Sequence, residues 1–93
     1  MFQKVLKLLR EKIRTRQYIM TLHAEEEMDD EGLTVYDIEN AIMSGNLVER
    51  QKDKPSSEWK YRISGKALSG EEVEVIAKIG RTGKAVIITI YSV

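Results

Sequence analysis

Apolar positions at the start of the chain recur at helical spacing. Phe2, Val5, Leu6, Leu9 and Ile13 fall on one side, with Lys4, Lys7, Arg10 and Arg14 outside, which predicts an amphipathic helix within residues 1–17. Tyr18-Ile19-Met20-Thr21-Leu22 is short, apolar and partly β-branched, and reads as a strand or an extended connector. A second helix is expected from His23 to Glu31, with Met28 as its core residue and Gly32 ending it, because a left-handed cap suits glycine. Thr34 is a good N-cap for a third helix, with Asp37 in its first turn. Val35, Ile38, Ala41 and Ile42 supply that helix with its stripe, and Gly45 stops it.

After Gly45 the period changes to two. Leu47–Arg50 reads as a strand running into a polar loop, Lys52-Asp53-Lys54-Pro55-Ser56-Ser57. Trp59-Lys60-Tyr61-Arg62-Ile63 alternates apolar and basic, and Val73, Val75, Ala77 and Ile79 alternate with Glu72, Glu74, Ile76 and Lys78. Gly80-Arg81-Thr82-Gly83 connects a hairpin, and residues 85–91 are apolar on both faces until Thr89 and Tyr91, which suits a central strand. The expected architecture is α+β: N-terminal helices packed on a small antiparallel sheet of about four strands. It forms one domain over residues 1–93, with the first helix in 1–17, a helical pair in 18–45 and the sheet in 46–93.

Composition narrows the chemistry. With no Cys, disulfides, thiolate metal sites and a Cys nucleophile are excluded. No apolar run reaches the roughly 18 residues that a membrane span needs, and the charged start lacks the stretch of a secretory signal. The expected compartment is the cytoplasm. Fifteen basic and fifteen acidic side chains cancel, but they are segregated along the chain. Residues 1–16 carry a net +5, residues 23–39 a net −8 and residues 40–70 a net +3. This argues against one uniform field for nucleic acid and permits a basic patch beside an acidic one.

Simple alternation sends Trp59, Tyr61, Ile63, Val73, Val75, Ala77, Ile79, Val86, Ile88 and Ile90 toward the helices. The outer face then holds Lys60, Arg62, Lys78 and Tyr91, together with Glu72, Glu74, Ile76, Ile87 and Thr89. Arg81 and Lys84 stand in the adjoining turn. Cations can anchor phosphates and a phenol can stack on a base. Glu72 and Glu74 oppose a polyanion on that face, so salt-bridged surface strands are the competing reading. His23 has Glu26 and Glu27 three and four residues on, a spacing that weakly fits a cation. A helix-orienting backbone hydrogen bond is the plainer role for this histidine. There is no phosphate-binding glycine loop and no Gly-x-Ser-x-Gly elbow.

The run Leu22-His23-Ala24 through Met28, Glu31-Gly32-Leu33-Thr34, Ile38 to Gly45, and the closing Val86-Ile87-Ile88-Thr89-Ile90-Tyr91 resemble the family called domain of unknown function 4258. The resemblance covers about residues 18 to 91. It implies a RelE-like toxin fold and an mRNA interferase-like activity, a metal-independent endoribonuclease that needs no cofactor. It implies an antitoxin protein as partner and mRNA or the ribosome as target, with no membrane association. Under that reading Arg62, Lys78 and Arg81 stabilise the phosphorane, Tyr91 or His23 moves protons, and Lys60 and Lys84 hold RNA. The alternative is a catalytically inactive module of the same fold that pairs with a protein, docked on the basic first helix. The family commonly has Arg where this chain has Glu27 and Glu31. Either those positions are structural, or this member's activity has changed.

Overall fold

The computed structural model describes residues 2–53 and 58–93. The stretch 54–57 of the expected polar loop lies outside the described residues, and so do the side chains of Phe2 and Asp53. The order of elements is α1 (Phe2–Arg14), β1 (Tyr18–Met20), α2 (Leu22–Asp30), α3 (Val35–Ser44), β2 (Asn46–Asp53), β3 (Glu58–Lys66), β4 (Glu72–Ile79) and β5 (Ala85–Ser92). The architecture is mixed α+β, with helices on one face of a sheet.

Each helix boundary has a local cause. Arg16 sits at φ 58 just past α1, and Gln17 N–H reaches back to Lys12 C=O at 2.8 Å. This left-handed cap is built without glycine, at a cost of about 1 kcal/mol. Helix α2 starts at Leu22, inside the stretch expected to be extended, because Thr21 is its N-cap and its hydroxyl accepts from Ala24 N–H. The second helix therefore covers residues 22–30, with Glu31 as its C-cap. Gly32 follows at φ 69, the conformation expected of it. Thr34 and Asp37 form a reciprocal capping box on α3. The Asp37 carboxylate also accepts from Leu68 N–H at 3.0 Å, so the same side chain ties the β3–β4 connection to the helix. These backbone donors hold its carboxyl below the usual aspartate range.

The described sheet has five strands in the order β1-β5-β4-β3-β2. This corrects the four-stranded antiparallel expectation. The added strand, β1, pairs parallel with β5 through Tyr18↔Ala85, Ile19↔Val86 and Met20↔Ile87. It occupies part of the span read as a helical pair. The remaining pairs are antiparallel, with Tyr61↔Ala77 and Val75↔Ile90 fixing the central register.

A second correction concerns β5. Ile76 pairs with Thr89 but Ala77 pairs with Ile87, so Ile88 is an extra residue in a β-bulge. The bulge shifts the alternation by one position. Ile87 is buried beneath the helices, while Val86 and Ile88, expected there, are only half-buried. Beyond the bulge the expected phase returns, with Ile90 inside and Tyr91 outside.

Leu9, Ile13, Ile38, Ile42, Ile63, Val73, Val75, Ile87 and Ile90 form the packed centre between helices and sheet, with Met28 half-buried against it. Helix α3 lies very close to β3. A Cβ added at Gly65 would stand 1.9 Å from Ala41 C=O, so only glycine permits that contact. Arg10 fastens α1 to the end of α3, donating to Gly45 C=O at 2.6 Å and to Ile42 C=O at 3.2 Å. Among the described residues no helix is long and apolar enough to cross a membrane.

Candidate functional site on the open sheet face

The face of the sheet away from the helices carries the side chains of interest in cross-strand rows. One row holds Ser64, Glu74 and Tyr91, and the next holds Arg62, Ile76 and Thr89, with Glu49 opposite Arg62 on β2. Farther along, Lys60 pairs with Gln51 and Lys78 pairs with Val86. Glu49, Gln51, Lys60, Arg62 and Ile76 line a shallow depression. The expected grouping of Lys60, Arg62, Lys78 and Tyr91 on one face therefore holds.

The centre of this face is a linked set of three groups. Tyr91 donates its phenolic O–H to Glu74 Oε1. The same carboxylate oxygen lies 3.4 Å from an Arg62 terminal nitrogen, and Arg62 Nε lies 3.5 Å from Glu49 Oε1. That Nε is sealed from solvent and has no hydrogen-bond partner among the described residues, leaving one unused donor. Hydrogen bonding to Glu74 and then desolvation raise the Tyr91 pKa above the usual phenol value, and the Arg62 guanidinium partly offsets them. Tyr91 is thus a protonated donor at neutral pH. The Arg62 guanidinium is held still more firmly charged, first by its hydrogen bond with Tyr91.

The other expected site residues are spread along the sheet. Lys78 forms an ion pair with Glu58 at 2.9 Å and stands four residues from Glu74 on β4, about 13 Å along the strand. Arg81 and Lys84 are exposed in the β4–β5 turn at the far end of the sheet. Seven residues of nearly extended chain separate Lys84 from Tyr91, about 20 Å. Arg81 and Lys84 therefore do not join the Arg62–Tyr91 centre. The hairpin connects the strands at the end opposite Tyr91, which linear spacing alone does not reveal.

His23 is two-thirds exposed at the start of α2, where its Nε2 lies 3.2 Å from Glu27 Oε1. That oxygen also accepts from Ile90 N–H at 3.0 Å. Strand β1 covers only the first part of β5, so Glu27 closes the strand edge where β1 ends. The histidine therefore pairs with a side chain, in place of the expected backbone bond. Glu27 has a structural task, which accounts for one of the two acidic departures; Glu31 is exposed at the helix end. No ion pair joins the acidic run of α2 to α1 among the described residues. No three His, Asp or Glu side chains among them gather as a metal site.

Sequence reasoning passed over Glu49 and saw Glu74 only as a charge opposing a polyanion or as a partner in salt-bridged strands, without naming it as part of a site. The available signal was register: once Ser64, Glu74 and Tyr91 share a row, the carboxylate must lie between phenol and guanidinium.

No curated protein and no solved structure matches the chain. The family model described as Domain of unknown function (DUF4258) matches residues 20–92, from the end of β1 to the end of β5 and leaving α1 outside, and the chain belongs to that family.

Proposed function

We propose that this protein is a RelE-like toxin-family ribonuclease of the cytoplasm that breaks RNA phosphodiester bonds from the open sheet face, without a metal. The observation that carries this reading is the Arg62–Glu74–Tyr91 set: a guanidinium, a carboxylate and a protonated phenol within one or two bonds of each other. In the reaction the RNA 2′-hydroxyl attacks the neighbouring phosphorus and loses its proton to Glu74. The P–O5′ bond breaks, and Tyr91 turns from Glu74 to protonate the departing 5′ oxygen. Arg62 stabilises the charge on the pentacoordinate phosphorus through the terminal nitrogens of its partly exposed guanidinium. Lys60 and Lys78 sit farther along the face and hold a flanking phosphate. The products are a 2′,3′-cyclic phosphate and a free 5′-hydroxyl.

A second reading draws on the ion pairs. Arg62 faces Glu49 and Glu74, and Lys78 faces Glu58, so the face is close to charge-balanced. That balance favours a non-catalytic module of the same fold, paired with a protein partner. Expression in a bacterium separates the two. The nuclease reading expects arrested growth and broken mRNA from the wild type, relieved by Arg62→Ala with Tyr91→Phe. Equal growth of both strains with intact mRNA would reject it.

A further inference from the structure

The helix side of the sheet is left partly uncovered where β2 and β3 run past α1. Trp59 pairs with Lys52 there and is 39 % exposed despite pointing to the helix side. Val5, Leu8, Trp59, Tyr61 and Ile79 line a groove together with Glu58, and a second hollow shares Leu8 and adds Lys4, Lys7 and Glu11. Leu8 is 43 % exposed and lies off the buried stripe of α1, so it serves no packing need of this chain.

Charge distinguishes the rim. Arg50 stacks over the Trp59 ring at 4.4 Å from its centroid, and Lys52 lies at 5.5 Å. Lys4, Lys7, Arg50 and Lys52 form no ion pair among the described residues. The two carboxylates of the groove are already engaged, Glu11 with Arg14 and Glu58 with Lys78. An apolar floor of aliphatic and aromatic side chains therefore lies beside four cations that no carboxylate among the described residues neutralises.

We infer that this groove binds an acidic amphipathic helix of a partner protein, its aliphatic side chains on Leu8, Val5 and Trp59 and its carboxylates against Lys4, Lys7, Arg50 and Lys52. RNA fits less well, because the Trp59 ring is already stacked by Arg50, Tyr61 is buried, and Val5, Leu8 and Ile79 complete the floor with aliphatic side chains. A second copy also fits less well. The chain's own acidic helix, α2, exposes Leu22 as its one large apolar side chain among the described residues, too little to fill the floor. The α1 wall precedes the segment matched to the family, so the inference rests on this chain's own residues. It is independent of the open-face chemistry, which lies on the other side of the sheet.

Trp59 is the sole tryptophan, so its emission reports on the groove directly. The probe is a synthetic helix-forming peptide of about 15 residues with leucines at i, i+4 and i+7 and glutamates flanking them. Titration into the full-length protein is expected to shift Trp59 emission saturably. Leu8→Glu is expected to weaken binding by at least about tenfold, and Arg50→Ala with Lys52→Ala by about tenfold at low salt. All three residues are exposed, so the variants keep the wild-type circular dichroism. The same peptide with lysines for glutamates is expected to bind Arg50→Glu/Lys52→Glu better than the wild type. Equal binding of the acidic and basic peptides, no emission change, a shift produced only by oligouridylate, or self-association blocked by Leu8→Glu would each overturn the proposal.

Discussion

The two faces of this sheet solve different problems with the same strands. On the helix side Ile63, Val75, Ala77, Ile87 and Ile90 are wholly buried, and α3 comes so near β3 that Gly65 cannot carry a side chain. On the open side the neighbouring positions are Arg62, Glu74, Lys78 and Tyr91, half-buried and joined by ion pairs and one phenolic hydrogen bond. Packing on the first face is close to irreplaceable. Pairing on the second contributes less, since ion pairs this close to the surface are worth little to the fold. The stability of the domain resides on one face and the chemistry proposed for it on the other.

The contrast breaks or sharpens first at β5. Ile87→Ala is expected to cost about 2–5 kcal/mol, whereas Ile88→Ala, its neighbour on the bulge, is expected to cost under about 1 kcal/mol. Urea unfolding of both variants reads the difference, and a reversed order would put the bulge one residue away. Next comes Gly65→Ala, which drives a methyl group into Ala41 C=O and is expected to cost about 1–3 kcal/mol or more, against about 0.5 kcal/mol for Ser64→Ala on the other face.

Alkaline pH tests the sheet edge. Burial, followed by the hydrogen bond to Glu39, raises the Tyr18 pKa far above the ordinary phenol value. A raised folded-state value means the stabilisation is complete below about pH 10 and is lost as pH climbs from there toward the folded-state pKa. Tyr18→Phe is expected to flatten the fall in stability above about pH 10, measured by urea midpoints across that range. An unchanged slope would remove Tyr18 as its cause. The smallest expected effect is at the cap of α1. Arg16→Gly relieves the left-handed strain and is expected to raise stability by about 0.5–1 kcal/mol, visible as a slightly higher Tm.

Much of this contrast was legible in the sequence where a single period ran uninterrupted. The stripes of α1 and α3, the Thr34–Asp37 box and the alternation of β3 and β4 each follow from local rules, and they placed Arg62 and Lys78 on one face, which Tyr91 shares because the β5 phase returns beyond the bulge. What was not legible came from non-local pairing. Three residues are too few to show a period, so β1 declares itself only through its parallel contact with the last strand. In residues 85–91 both faces are apolar, and no pattern marks where the phase slips at Ile88. The distance of Arg81 and Lys84 from Tyr91 depends on which end of the hairpin each occupies. Glu27 showed only as a wrong-signed charge or a weak cation ligand until its bond to Ile90 gave it a task.

The most direct test of the open-face chemistry is cleavage of a defined RNA oligonucleotide by the purified protein, with the product ends identified by mass. The account predicts a 2′,3′-cyclic phosphate from the wild type and no cut at a 2′-deoxy position. It also predicts a rate at least about 100-fold lower for Arg62→Ala and for Tyr91→Phe, both with wild-type stability. Cleavage undiminished in those variants, or none by the wild type freed of any bound partner, would contradict it.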